Sequence, residues 1–139
     1  MPVQWPLPDR FKPQISGWQM RMPGLTRRAQ FDDGPDRVRR TAHQRPVRQR
    51  FDLDILRTDM PVLRRWYLED LDGGRLWFEL SAFVDDAYQT VEARLVDDGE
   101  GPWTARLAGD FEYRLSMEIE IRALPRLDDA RYYARQGVR

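Results

Sequence analysis

The chain has 139 residues, enough for one domain with a real core and too few for two. Its 23 basic and 23 acidic residues cancel, and no apolar run approaches the roughly 20 residues that span a bilayer. The lack of cysteine excludes disulfides, thiolate metal sites and a cysteine nucleophile together.

Residues 1–13 carry Pro2, Pro6, Pro8 and Pro13, with Trp5, Leu7 and Phe11 between them. Four prolines without a helical or alternating period predict an extended arm outside the compact domain. The arm has neither a basic region nor an apolar signal core, so the chain is expected to stay in the cytoplasm. Ile15 to Met22 reads as a first strand, with Trp18, Met20 and Met22 on one face and Gly17 at a bulge, ending at Pro23-Gly24. Phe31-Asp32-Asp33-Gly34-Pro35-Asp36 is a turn signal. Val38 to Ile55 then reads as one long extended segment, alternating at Phe51, Leu53 and Ile55, with Pro46 marking an edge, a bulge or a departure from the sheet.

A helix follows over about 59–72. Thr58 or Asp59 can cap it, and Pro61 falls in the first turn, where its missing N–H costs nothing. Met60, Leu63, Tyr67 and Leu71 form a stripe flanked by Trp66 and Val62, so this face is expected to cover a sheet. Gly73-Gly74 is the stop, because glycine takes the left-handed conformation there without strain. Leu76 to Ala82 and Tyr88 to Val96 read as strands joined by an Asp85-Asp86 turn, and Trp103 to Leu107 as a short strand after the loop Gly99-Glu100-Gly101-Pro102. From Phe111 to Ile121 apolar and polar residues alternate throughout, with one buried and one wet face. Pro125 ends this strand, and Asp128 to Gln136 has weak helical character. The reading is mostly β: a single domain over 14–124, an antiparallel β-sandwich or barrel with one helix packed on the sheet, and a tail over 125–139.

Catalytic equipment is not legible. His43 is the single histidine and lies in a polar, basic segment without an orienting carboxylate or nucleophile in view. Asp32-Asp33-Gly34-Pro35-Asp36 lacks the later ligands of a calcium loop, and Gly73-Gly74 ends a helix whereas phosphate loops begin one. No cofactor is expected. Charge is polarised: residues 1–50 hold eleven basic residues against four acids, a net of +7, and residues 51–139 hold the matching −7. All the basic residues but Lys12 are arginine. A GC-rich coding sequence gives such a bias by default. A functional reading is a surface whose basic side meets the acidic side of a neighbouring copy, head to tail. Arg37, Arg39, Arg40, Arg45, Arg48 and Arg50 also make a case for nucleic-acid binding, weakened by zero net charge and by arginines split between strand faces.

Taken in order, several motifs resemble the minor tail protein M family of lambda-like, long-tailed bacteriophages. They are the aromatic–acid–glycine turn Phe31-Asp32-Asp33-Gly34, the alternating Phe51-Asp52-Leu53-Asp54, the helix Pro61 to Leu71 and its closing Gly73-Gly74. The aromatic strand Leu76-Trp77-Phe78, the segment Val91-Glu92-Ala93-Arg94 and the final strand Phe111 to Ile121 complete the order. The likeness covers roughly residues 14–122, and both ends depart from it.

The resemblance implies a non-enzymatic protein of the virion, assembled in the bacterial cytoplasm. It implies a homo-oligomeric ring, typically of six copies, at the distal end of the tail tube, joining tube protein to tail-tip hub protein near the tape measure protein. DNA would pass only through the lumen. A head–tail connector or tail-terminator ring is the alternative. On this reading the candidate interface residues are Trp5, Phe11, Arg37, Arg39, Arg40, Arg48, Asp85, Asp86, Tyr132 and Tyr133, with Asp97 and Asp98 as further acidic contacts. The proline-rich arm or the tyrosine-bearing tail is expected to lie on a neighbouring subunit, the arm folding back over its own sheet being the other outcome.

Overall fold

Alternation in the last third of the chain sets the architecture. Leu115, Met117, Ile119 and Ile121 are buried, and the residues between them are half-exposed, so strand β9 (Glu112–Ile121) has one core face and one wet face. Its register with β5 (Val47–Leu56) runs antiparallel over the full length of both, from Val47 opposite Ile121 to Leu56 opposite Glu112. The computed structural model describes residues 3–8, 11–15, 17–29, 37–40, 46–97 and 99–136. Strands hold 43% of the chain and helices 19%, so the fold is mostly β.

The other strands are β1 (Val3–Gln4), β2 (Gln19–Arg21), β3 (Thr26–Ala29), β4 (Arg37–Arg40), β6 (Phe78–Val84), β7 (Ala87–Leu95) and β8 (Trp103–Leu107). Seven of the nine form one sheet in the order β1-β6-β7-β9-β5-β2, with β8 beside β9 and only β1 and β6 parallel. β3 and β4 form a separate two-stranded ribbon. The sheet bends because β9 exchanges neighbours along one edge: β8 pairs with Tyr113 to Met117, and β7 with Ile119 to Ile121. The β6–β7 hairpin thus leans over the β5–β9 layer. Phe78, Leu80, Ala82, Val84, Val91, Ala93 and Leu95 meet Phe51, Leu53, Ile55 and the buried face of β9 in one core.

The sheet does not close into a barrel. Where a closing ladder would run, side chains bridge the seam: Trp18 Nε1 and Gln49 Nε2 both donate to Phe83 O, at 3.1 and 2.7 Å. The chain before β2 lies in the same gap. Pro13 is fully buried, Tyr88 Oη donates to Pro13 O at 2.7 Å, and Gln14 N donates to Asp52 O at 2.8 Å.

The N-terminal arm is therefore not an appendage beside the domain. Val3–Gln4 lies parallel to Phe78–Glu79, Leu7 is buried, and Trp5 packs on Trp66 and Phe78 with ring centroids 5.3 and 6.1 Å away. Trp66 Nε1 donates to Gln4 O at 2.9 Å, tying arm to helix. Of the two outcomes expected for the arm, this chain has it folded back over its own sheet. Its aromatics find apolar cover on the same chain, which satisfies the physical reason for seeking it elsewhere.

The helical segment runs from Arg57 to Asp70 as a 3-10 turn, an α-helix α1 (Met60–Arg65) with Pro61 in its first turn, and a π turn over Trp66–Asp70. Neither Thr58 nor Asp59 forms the expected side-chain cap, because the 3-10 turn already supplies backbone partners there. Leu63, Trp66 and Leu71 are buried, whereas Val62 is exposed. Widening by one residue per turn brings Trp66 inward with Leu71, whose N–H bonds to Trp66 O five residues back. Asp72, Gly73 and Gly74 all take positive φ, so the stop falls where the sequence places it.

Strand bounds also move. Ile15 to Met22 contracts to the three residues of β2, because Gly17 turns with a φ of 75° and Trp18 N bonds back to Ile15 O. Val38 to Ile55 is two strands, β4 and β5, with Pro46 immediately ahead of β5. β6 begins at Phe78, two residues later than Leu76, whose N–H still bonds to Leu71 O at the helix end. Phe111 precedes β9 and is exposed. The tail helix is present as α2 (Asp129–Gln136). Among the described residues no helix is long and apolar enough to cross a membrane.

Candidate subunit interface

Cross-strand register decides what the charged residues of the sheet do. Residues of even number on β5 and β9 face outward and form a ladder. Arg48 and Arg50 each lie 3.9 Å from Glu118, Ser116 Oγ donates to Asp52 at 2.8 Å, and Arg114 holds Asp54 through two bonds of 2.9 and 3.2 Å. Further along, Arg94 donates twice to Glu120, and Arg122 donates to Glu92 at 2.9 Å. Their guanidinium carbons sit 4.5 and 5.1 Å from the Trp77 ring. Each exposed pair is worth about 1 kcal/mol or less. Together they fix the register, since a one-residue slip would turn this charged face into the core.

The +7/−7 polarity is thus partly neutralised within one chain, because Arg48 and Arg50 of the basic half face Glu118 of the acidic half. Arg48, a candidate for contact with another copy, already faces Glu118. Asp97 is likewise engaged at home: its carboxylate accepts from Gly99 N and Gly101 N, both at 2.9 Å, and shapes the loop before β8. The Arg114 guanidinium holds the Asp54 carboxyl below the usual carboxylate range, by hydrogen bond first, against the opposing effect of burial.

Three groups of candidates remain at the surface or in the ribbon. In β3–β4, five of eight residues are arginine and none is acidic, and the register sets Arg27 opposite Arg39 and Ala29 opposite Arg37. Like charges directly opposite are destabilising in a ladder. Asp85 and Asp86 are exposed at the tip of the β6–β7 hairpin, where Asp85 takes a φ of 59°. Tyr132 and Tyr133 are exposed on α2 with rings 5.4 Å apart. Trp5 and Phe11 belong to the arm's own packing, Trp5 Nε1 donating to Phe11 O at 3.2 Å. His43, Asp98 and the turn over residues 31–36 lie outside the described residues.

Exposed apolar residues at two sheet edges escape a reading by sequence. Leu107 and Phe111 flank the Ala108-Gly109-Asp110 turn, Met22 follows β2, and Ile15 precedes the Gly17 turn that leads into it. Gly109-Asp110 is the signal that could have placed Phe111 at a hairpin tip instead of inside the alternating strand. A cleft of about 330 Å³ on the outer face is lined in part by Arg50, Asp52, Ser116 and Glu118, all engaged in the cross-strand contacts above. Among the described residues no group of three potential ligands is placed to hold a metal ion. No protein-family model matches the chain, and no curated protein or solved structure is significantly similar to it.

Proposed function

We propose that the chain is a structural subunit of a long-tailed bacteriophage or prophage, a minor tail protein. It forms a ring, of six copies, at the distal end of the tail tube and joins the tube to the tail-tip hub. The observation that carries this reading is the succession of helix, left-handed Gly73-Gly74 stop and aromatic Trp77 leading into β6 at Phe78, with Trp66 and Phe78 packed edge to face at 4.9 Å. That succession is the core of the resemblance to the minor tail protein M family. The partners are further copies of the chain, the tube protein, the hub protein and the tape measure protein, with DNA passing through the lumen.

In the ring, basic β4 with Arg37, Arg39 and Arg40 faces the Asp85-Asp86 turn of the next copy, a head-to-tail contact that closes when the rotation allows. Surface pairs of about 1 kcal/mol each give orientation more than affinity, so apolar contacts must supply the rest. Mass spectrometry and electron microscopy of purified particles test the reading. The chain is expected in the virion at ring stoichiometry, at the tail tip. A location at the head–tail junction would move it to the connector or terminator class, and absence from particles would refute both. The arginine content of β3–β4 supports one further reading, nucleic-acid binding, which a gel shift that weakens with salt would reveal.

A further inference from the structure

Strand β2 lies beside β5 with Arg21 directly opposite Arg48, two like charges in one cross-strand pair. Like charges so placed are destabilising unless an anion compensates them. The carboxylates on the same face supply little of that compensation. Glu120, opposite Arg48 on β9, is held by Arg94 through bonds of 3.2 and 3.1 Å. Glu118 lies 3.9 Å from Arg48 and 3.9 Å from Arg50, so one carboxylate serves two guanidiniums. Among the described residues no carboxylate forms an ion pair with Arg21, which is exposed. Arg21 and Arg48 border a cavity of about 340 Å³ whose other described walls are Met22, Pro23, Gly24 and Pro46. Two cations and no acid line it among the described residues.

We propose that this cavity is an oxyanion site and that the group it takes is a phosphate, bare or carried by a nucleotide. Directly opposite side chains leave their strands about 4.5–5.5 Å apart at Cβ, so both guanidiniums can close on one anion. Each presents a planar fork of N–H donors that matches two oxygens. A carboxylate has only two oxygens and is filled by one such fork. A phosphate offers at least three acceptor oxygens and a charge of about −2, enough for both forks at once. Bound there, it turns the repulsion across the pair into attraction on both sides. The two prolines bring no N–H to the cavity, so recognition of the anion lies with Arg21 and Arg48. Met22, Pro23 and Pro46 give an apolar wall against which the sugar or base of a nucleotide would lie. Ribbon strand β3 starts two residues after Gly24, so its arginines continue the basic surface from the rim of the cavity. The site is complete within one copy and stands whether or not the chain forms a ring.

NMR titration with inorganic phosphate, at ionic strength held constant with sodium chloride, tests the site. Amide signals of Arg21, Met22, Gly24, Val47 and Arg48 are expected to shift and saturate, with a Kd of about 1 mM for a half-exposed pair of guanidiniums. Arg21→Gln should weaken the binding about tenfold, whereas Arg75→Gln, which removes a charge elsewhere, should leave it in place. Arg21→Glu sets an opposite charge across from Arg48, so it should abolish the binding without lowering the melting temperature in chloride. A nucleoside monophosphate and a short single-stranded oligonucleotide distinguish the sources of the phosphate. Equal affinity for all three probes means a lone phosphate, and tighter binding of the monophosphate brings in the apolar wall. Tighter binding still of the oligonucleotide, weakening with salt, means a nucleic-acid strand. Shifts that rise linearly with phosphate, or that Arg21→Gln leaves unchanged, overturn the site.

Discussion

Gln49 is buried in the core with its Nε2 on Phe83 O and its Oε1 without a partner among the described residues. Phe83 O has two side-chain donors, Gln49 and Trp18, so losing either leaves the carbonyl satisfied. Gln49→Met and Trp18→Phe are therefore expected to be non-additive. The double variant should cost about 1–3 kcal/mol more than the sum of the singles, the cost of an orphaned buried carbonyl. Urea denaturation of the four chains measures this, and additivity would show that the seam is not held by these bonds. Asp54 gives a pH dependence. Its folded carboxyl titrates below its unfolded value, so its contribution is complete above the unfolded value and is lost as pH falls through the folded one. Stability should drop below about pH 4, and Asp54→Asn should flatten that part of the profile. An unchanged acid limb would remove the Arg114 pair from the account.

At the scale of elements, the helical segment is held by its buried face. Leu63→Ala or Leu71→Ala is expected to cost about 2–5 kcal/mol through lost burial and a cavity. Arg65→Ala, which loses one exposed pair with Glu69, should leave the melt almost unchanged. Gly74→Ala should be harmful for two reasons, a φ of 91° and a new Cβ 2.9 Å from the Tyr67 ring. Thermal melts rank the four, and equal effects would contradict the placement of the helix. Much of this was legible beforehand. Period-two alternation marked β9, Gly73-Gly74 marked the stop, and Asp85-Asp86 marked the hairpin, because each depends on local backbone chemistry. The inward turn of Trp66 depends on a π turn, and the packing of Trp5 on rings 60 or more residues away, neither of which leaves a local trace. The pairing of Arg50 with Glu118 was hidden for the same reason: charge counted along the chain carries no register.

For the whole molecule, the arm and the distribution of charge set the behaviour. Deleting residues 2–12 should destabilise the monomer, since it removes β1, buried Leu7 and the Trp5 contacts with Trp66 and Phe78. An unchanged melting curve would mean that the arm's packing adds nothing. The bent sheet, capped by helix and arm, carries a basic ribbon, β3–β4, together with an acidic hairpin tip at Asp85-Asp86. Two surfaces of opposite charge would suit head-to-tail assembly better than two-fold pairing. Electron microscopy of the purified protein at high concentration tests this most directly. Closed rings of uniform copy number, consistent with six, are expected. Monomers alone, or two-fold dimers with no ring, would contradict the proposed tail-tip role.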